Sequence, residues 1–276
     1  MGNIFTLILV QPLTNGLILF YKILFQNLGV AIIAFSLVLI FLLRPLTKPY
    51  MKSMKRIRDL EPQLAKLRKK FGKDKMKMSQ AQAELYKQNK INPAAGCLPY
   101  ILQFVVLIAL FQVFTAALSG SDIASGKLNQ LLYPALKFAQ GQSINTKFLY
   151  LDISKPDVIP GIQLPFGLAI PGLFLLLATF AQFLSVKIMA PYISEEEKIA
   201  KKSKGQADDM QVAMQSSMVY TLPLMTLIFG LKFPSGLALY WLVFSIVNVW
   251  QQVQMSGWGT LTPFIKRLNL VKSKTP

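Results

Sequence analysis

The side chains in this chain that could take part in chemistry are cations, amides and hydroxyls. Arg44 closes an uncharged run, Leu28 to Leu43, and leads through Pro45-Leu46-Thr47 into a strongly basic stretch. From Lys48 to Lys90 there are fourteen basic residues and four acidic ones, a net charge of +10. An arginine at the end of an apolar helix either snorkels to the membrane surface or faces a helix bundle and makes a wet, positive recess. Dense lysine and arginine suit an anionic lipid surface, nucleic acid or a ribosome.

Other reactive types are missing. There is no histidine, so the usual neutral-pH general base and the commonest zinc ligand are absent. Cys97 is the only cysteine, which excludes an internal disulfide and a cysteine-rich metal site. No GxxxxGK(S/T) phosphate loop occurs. No acid lies inside the long apolar stretches, where proton- and sodium-coupled carriers usually need one. What these stretches hold instead are neutral polar groups, among them Ser36, Gln103, Gln112, Thr179, Gln182, Ser217, Thr221, Ser245 and Asn248. Such groups serve as helix-helix glue more often than as the lining of a pathway. Tyr240, Trp241 and Trp250 suit interfacial anchors. Together these residues point to binding without a cofactor or metal, and away from an enzyme.

The elements that position these groups must be membrane-embedded. Hydrophobic residues make up 53% of the chain and charged ones 15%, with a mean hydropathy of +0.44 and a net charge of +18. A soluble domain of this length is less apolar, so an all-α membrane protein is expected. Residues 1–27 are predicted to form an N-terminal amphipathic helix lying in the interface, an N-terminal extension of the first span being the alternative. No cleaved signal peptide is expected, because the start lacks a basic region and a convincing cleavage site. The first span is 28–47, with Pro45 and Pro49 loosening its exit.

Residues 48–91 are predicted to be a basic helical hairpin. Ile57, Leu60, Leu64, Leu67 and Phe71 form a seam at alternating spacings of three and four, answered by Met78, Ala81 and Leu85. Gly72-Lys73-Asp74 makes the turn and Pro62 a kink. A re-entrant loop and the second span occupy 92–118, and a polar segment 119–165. The third span is 166–188, a second charged loop 189–212, the fourth and fifth spans 213–255, and a basic tail 256–276. Five spans put the basic hairpin and the tail on one side, which the distribution of lysine and arginine makes cytoplasmic. The N-terminus and residues 119–165 are then outside.

Several motifs occur in order along most of the chain. They are Arg44-Pro-Leu-Thr-Lys, Met51-Lys-Ser-Met-Lys, Leu60-Glu-Pro and Asn92-Pro-Ala-Ala-Gly-Cys-Leu-Pro, continuing to Gln103. Phe148-Leu-Tyr-Leu-Asp-Ile-Ser-Lys-Pro-Asp, Phe233-Pro-Ser-Gly-Leu-Ala-Leu-Tyr-Trp and Asn248 to Gln252 follow. With these the chain resembles the YidC/Oxa/Alb membrane-protein insertases in their short bacterial form, without the large periplasmic domain or the lipid-modified cysteine of many members. The resemblance implies five transmembrane helices around a hydrophilic groove open to the cytoplasm and to lipid and closed outside. A family arginine sits in that groove, usually five residues before the Pro-Leu-Thr, where this chain has Ile40; Arg44 lies one helical turn further on.

The implied function is insertion and folding of integral membrane proteins in the bacterial plasma membrane, without ATP hydrolysis. Ser36, Ile40, Arg44, Gln103, Gln182, Tyr240 and Trp241 are the expected groove and client contacts. Lys52, Lys55, Arg56, Arg58, Lys69 and Lys70 of the hairpin are the expected contacts to clients or a ribosome. The expected partners are nascent membrane-protein clients, membrane lipids and the ribosome, with the Sec translocon as a further candidate and no DNA. A client span of roughly 20 residues gains about 6–12 kcal/mol on entering lipid. The slow step is then passage of its short polar tail, which a wet, cationic groove eases. A small channel or transporter, and a protein that only tethers ribosomes, are the competing readings.

Overall fold

The computed structural model describes residues 4–71, 74–91, 98–118, 126–164, 167–189 and 208–262. The expected hairpin turn at Gly72-Lys73, the re-entrant loop over Asn92 to Cys97, most of the second charged loop and most of the basic tail lie outside these residues. The chain is mostly helical and divides into two compact units. One contains residues 1–43, 100–182 and 224–247, and the other residues 44–99, 183–223 and 248–276.

Helix α1 (Gln11–Ile23) continues from a π-helical turn, Thr6–Val10, whose wider winding is marked by the Gln11 N–H donating to Thr6 O. Its core-facing residues are Thr14, Asn15, Leu17, Ile18 and Tyr21. The segment expected to lie in the interface is, from Thr6 to Ile23, long and apolar enough to cross a membrane. Helix α2 (Leu28–Asp59) is unbroken across Pro45 and Pro49, so the first apolar helix runs twelve residues beyond the expected end of the span at Thr47. The two prolines remove only the N–H bonds to Phe41 and Pro45 carbonyls, and they fall near the end of the apolar run, where those carbonyls are close to polar surroundings.

The break comes at Leu60, and Pro62 is the second residue of α3 (Glu61–Phe71), where its missing N–H is no loss. The expected kink at Pro62 is thus a helix start. Helix α4 (Lys75–Gln88) packs against α3. Leu60, Leu64, Tyr86 and Ile91 are buried together with Ile57 and Leu85 against them, and Met78 is buried as well. Asp74 caps α4 by accepting from Lys77 N at 3.1 Å and pairing with Lys77 Nζ at 3.0 Å. The backbone N–H of Lys77, and then its ammonium, hold the Asp74 carboxyl below the usual carboxylate range.

Helix α5 (Leu98–Leu118) has the expected bounds of the second span. The short helix α6 (Lys127–Leu131) follows, then two antiparallel pairs of strands. Strand β1 (Lys147–Phe148) pairs with β2 (Leu151–Asp152), and β3 (Val158–Leu164) with β4 (Leu168–Pro171). The register of the second pair shifts between Ile159 and Gln163, where Pro160 and the positive-φ Gly161 make a bulge.

The third apolar helix, α7 (Leu173–Met189), therefore starts seven residues later than expected. Leu168-Ala-Ile-Pro171 is apolar enough to extend a span by hydropathy, but it is a strand, and Gly172 separates it from the helix. Helices α8 (Asp208–Gly230) and α9 (Ser235–Ser256) complete the described chain, together with a 3-10 turn at Gly259–Leu261.

The core of the first unit joins α1, α2, α5, α6, α7 and α9 through Leu17, Ile32, Phe35, Leu110, Phe114, Ala178, Leu239 and Tyr240. Large apolar side chains remain exposed on the outer faces of these helices. Examples are Val38 and Leu42 on α2, Phe104 and Ile108 on α5, Leu176 and Phe180 on α7, and Leu224 and Ile228 on α8. Apolar surface of this extent is rare on soluble monomers and suits contact with lipid. Among the described residues, Thr6–Ile23, Leu28–Pro49 and Ser235–Met255 are long and apolar enough to cross a membrane. The apolar stretches Gln103–Ala116, Leu173–Ile188 and Val219–Gly230 are shorter.

Candidate functional site

In the first unit, the apolar helices carry a sparse set of polar groups. Tyr240 is buried in the core, and its hydroxyl donates to Gln103 Oε1 at 3.3 Å. Gln103 Nε2 is buried and has no hydrogen-bond partner among the described residues. On α7, Gln182 Oε1 accepts from the hydroxyl of Thr226 on α8. Ser36 is buried, and its hydroxyl donates to its own helix at Ile32 O. Ile40 and Trp241 are buried too. The structure thus brings Gln103 together with Tyr240, and Gln182 together with Thr226, while Ser36, Ile40 and Trp241 are each buried in their own helix packing.

In the second unit, Arg44 is exposed on α2. Exposure of this kind fits a snorkelling arginine and equally one facing an open groove. The unit's buried polar groups lie further along the chain. Gln252 Nε2 donates to Ser185 Oγ at 3.1 Å, while Gln252 Oε1 and Gln251 Nε2 are buried with no hydrogen-bond partner among the described residues. Left unmet, a buried polar atom costs about 1–3 kcal/mol, which favours a bond to water or to another chain's backbone. On the helix pair, Lys52, Lys55, Arg56, Lys69 and Lys70 are exposed, and Lys70 Nζ lies 5.0 Å from the centre of the Phe71 ring. The side chain of Arg58 lies outside the described residues.

A clasp lies in the first unit, made by a stretch that the sequence marked as a motif without showing what it holds. The motif Phe148 to Asp157 ties down the starts of two apolar helices. Asp157 is 2% exposed, accepts from Leu175 N at 2.8 Å at the start of α7, and accepts from the Tyr150 hydroxyl at 2.9 Å. Tyr150 in turn accepts from Phe174 N at 3.1 Å. Burial pushes the Tyr150 hydroxyl above its ordinary range, and the neighbouring Asp157 adds to the rise, against the N–H of Phe174. At the start of α9, Ser235 Oγ donates to Asp152 O at 3.0 Å, Ser235 N to Lys155 O at 2.7 Å and Gly236 N to Ile153 O at 3.3 Å.

Asp152 accepts from both the backbone and the hydroxyl of Ser154. Burial pushes its carboxyl up, but the Ser154 hydrogen bonds, with help from Thr146 and Lys155, outweigh that and hold it below the usual range. A second clasp fixes α1: Asn15 Nδ2 donates to Leu131 O at 2.9 Å, and Tyr133 N donates to Asn15 Oδ1 at 2.7 Å. Among the described residues no group of three or more histidine, cysteine or carboxylate side chains could hold a metal.

Apolar outer helix faces, buried amides within the helices and helix starts pinned by a polar clasp define a helical membrane protein built to bind. Residues 19–259 match the family described as 60Kd inner membrane protein. The chain belongs to that family, the insertase family whose motifs it carries. It is 35% identical to a protein named Membrane protein insertase YidC from Shewanella sp. (strain W3-18-1), over 86% of this chain and 35% of that one. A Shewanella amazonensis protein of the same name is 32% identical over 86% of this chain and 35% of its own length. The chain thus spans about a third of the length of these relatives. It is also 30% identical to a Fusobacterium nucleatum protein of that name, over 82% of this chain and 84% of that one.

Proposed function

We propose that the chain is a membrane protein insertase and chaperone, working through a lipid-open hydrophilic groove among five spans and without hydrolysing ATP. Membership of the 60Kd inner membrane protein family over residues 19–259 carries this reading. Gln103 Nε2 in the first unit, and Gln251 Nε2 and Gln252 Oε1 in the second, are buried with no hydrogen-bond partner among the described residues, which supports it, because a stretch of client backbone can satisfy such atoms in passing. The exposed apolar faces of α7 and α9, with Phe180, Ile246 and Trp250, offer the client a route into lipid. The clasp from Leu151 to Asp157 then closes the extracytoplasmic side, while α3 and α4 form a cytoplasmic hairpin for clients or a ribosome.

In this mechanism Arg44 is a positive group near the cytoplasmic end of the first span. It draws an acidic client tail into the groove and lowers the barrier to crossing. The client's own hydrophobic gain supplies the driving force. The N-terminus is outside and the tail cytoplasmic, in a bacterial plasma membrane. A photocrosslinker placed at Gln103, Gln182 or Gln252 is expected to capture a stalled single-span client, and one at Leu7 or Ile8 to capture little. Equal capture from all five positions would overturn the groove.

A further inference from the structure

A further recess lies in the first unit. It is open, has a volume of about 430 Å³, and is lined by the π-helical turn, the last turns of α5 and the short helix α6. That is within the range of roughly 300–1,000 Å³ typical of small-ligand sites. Its polar lining comes from Thr6, Gln112, Thr115, Lys127 and Gln130. The lining holds one cation and no acid. Among the described residues, nothing hydrogen-bonds the side chains of Gln112, Lys127 or Gln130. The Thr115 hydroxyl donates to Phe111 O and Gln112 O, which leaves the amides and the ammonium as the available donors.

The wall on the α1 side is unusual. Thr6 and Val10 bound the π-helical turn, a feature found often at functional sites. On the same turn, Leu7 is 56% and Ile8 66% exposed. An open recess that carries several polar side chains and a single cation therefore lies beside a strongly apolar surface.

We propose that this cavity binds a phosphate ester, the headgroup of a phospholipid whose acyl chains lie along Ile4, Leu7 and Ile8. A phosphodiester carries one negative charge, which Lys127 matches, and its oxygens accept from the Gln112 and Gln130 amides. The inference stands apart from the insertase reading, since it needs neither a client nor the groove.

Native mass spectrometry of the full chain in detergent tests it, with phosphatidylglycerol and diacylglycerol as probes. Phosphatidylglycerol is expected to stay bound and the phosphate-free diacylglycerol to be lost. Lys127→Ala should weaken phosphatidylglycerol binding about tenfold, the scale of one charged hydrogen bond. Ala116→Trp, which fills the cavity and keeps the charge, should abolish binding, while Lys137→Ala should leave it unchanged. Failure of millimolar inorganic phosphate to compete supports the lipid as ligand. Displacement by inorganic phosphate would support the phosphate site with free phosphate as its occupant. Equal retention of the two lipids, or phosphatidylglycerol binding by folded Lys127→Ala equal to that of the parent, would overturn the proposal.

Discussion

Asp157→Ala is the sharpest test of how the clasp at the start of α7 holds the helices. The parent carboxyl is 2% exposed and makes two side-chain hydrogen bonds, to Leu175 N at 2.8 Å and to the Tyr150 hydroxyl at 2.9 Å. Leu175 is the third residue of α7, so Asp157 does the work of an N-cap from sixteen residues before the helix. Alanine removes both acceptors and leaves the buried Leu175 N–H and the half-exposed Tyr150 hydroxyl without them. Hydrogen bonds to a charged group contribute about 1.5–3 kcal/mol each. Because they share one carboxyl they do not add fully, and a loss of about 3–4 kcal/mol is expected.

For chains of a couple of hundred residues this corresponds to a fall in Tm of roughly 6–15 °C. Asp157→Asn keeps one acceptor and should lose about half as much. Gly172→Ala is a second route to the same contact, since a Cβ there would overlap Asp157 Oδ1. Combined with Asp157→Ala it should cost clearly less than the sum of the two single changes. The assay is thermal unfolding of purified protein in detergent, followed by circular dichroism at the helical bands. An Asp157→Ala protein melting within about 2 °C of the parent, a shift under about 1 kcal/mol, would refute the reasoning.

Three further outcomes are expected. Gly236→Ala puts a Cβ 2.7 Å from the Phe114 ring and 2.9 Å from Ile153, and overpacking of this kind should cost about 1–3 kcal/mol by the same melting assay. The raised Tyr150 favours its protonated form in the folded state, so its contribution is complete below the ordinary tyrosine range and is lost as pH rises through the folded value. The lowered Asp152 acts in the opposite sense: its contribution is present above the ordinary carboxylate range and is lost as pH falls through the folded value. A Tm profile should therefore fall at both ends, with Tyr150→Phe flattening the alkaline limb and Asp152→Asn the acid limb. Arg44→Ala should slow insertion most for clients with acidic tails and least for neutral ones, measured by protease protection of the client; activity equal to that of the parent across all clients would mean that Arg44 only snorkels.

The parts of the fold written in local periodicity were legible in the sequence. Helix α5 lies within the stretch expected to hold the second span because Leu98 to Leu118 is apolar but for a few residues such as Gln103 and Gln112. Leu60, Leu64 and Met78 are buried where the seam of threes and fours put them. The start of α7 was not legible, because a short apolar strand such as Leu168 to Pro171 has the hydropathy of a helix turn and is settled only by pairing with β3. Proline misled in both directions. Pro45 and Pro49 sit inside α2 without ending it, while Pro62 lies at a helix start. Of the candidate site, Gln103 and Tyr240 meet as a pair, but Gln251 and Gln252 stood out only as the end of a motif. Asp157 was visible only as the end of the Phe148 motif, and its role was not, because that role lies in bonds to Tyr150 and Leu175, which only the folded chain brings to it.

The most direct measurement is client insertion in proteoliposomes containing only this chain. A single-span client with a short acidic tail is added without nucleotide, and protease protection is followed in time. Insertion several-fold faster than into protein-free liposomes of the same lipid is the predicted result. Equal rates in the two kinds of vesicle would contradict a groove that carries polar tails across the membrane without fuel.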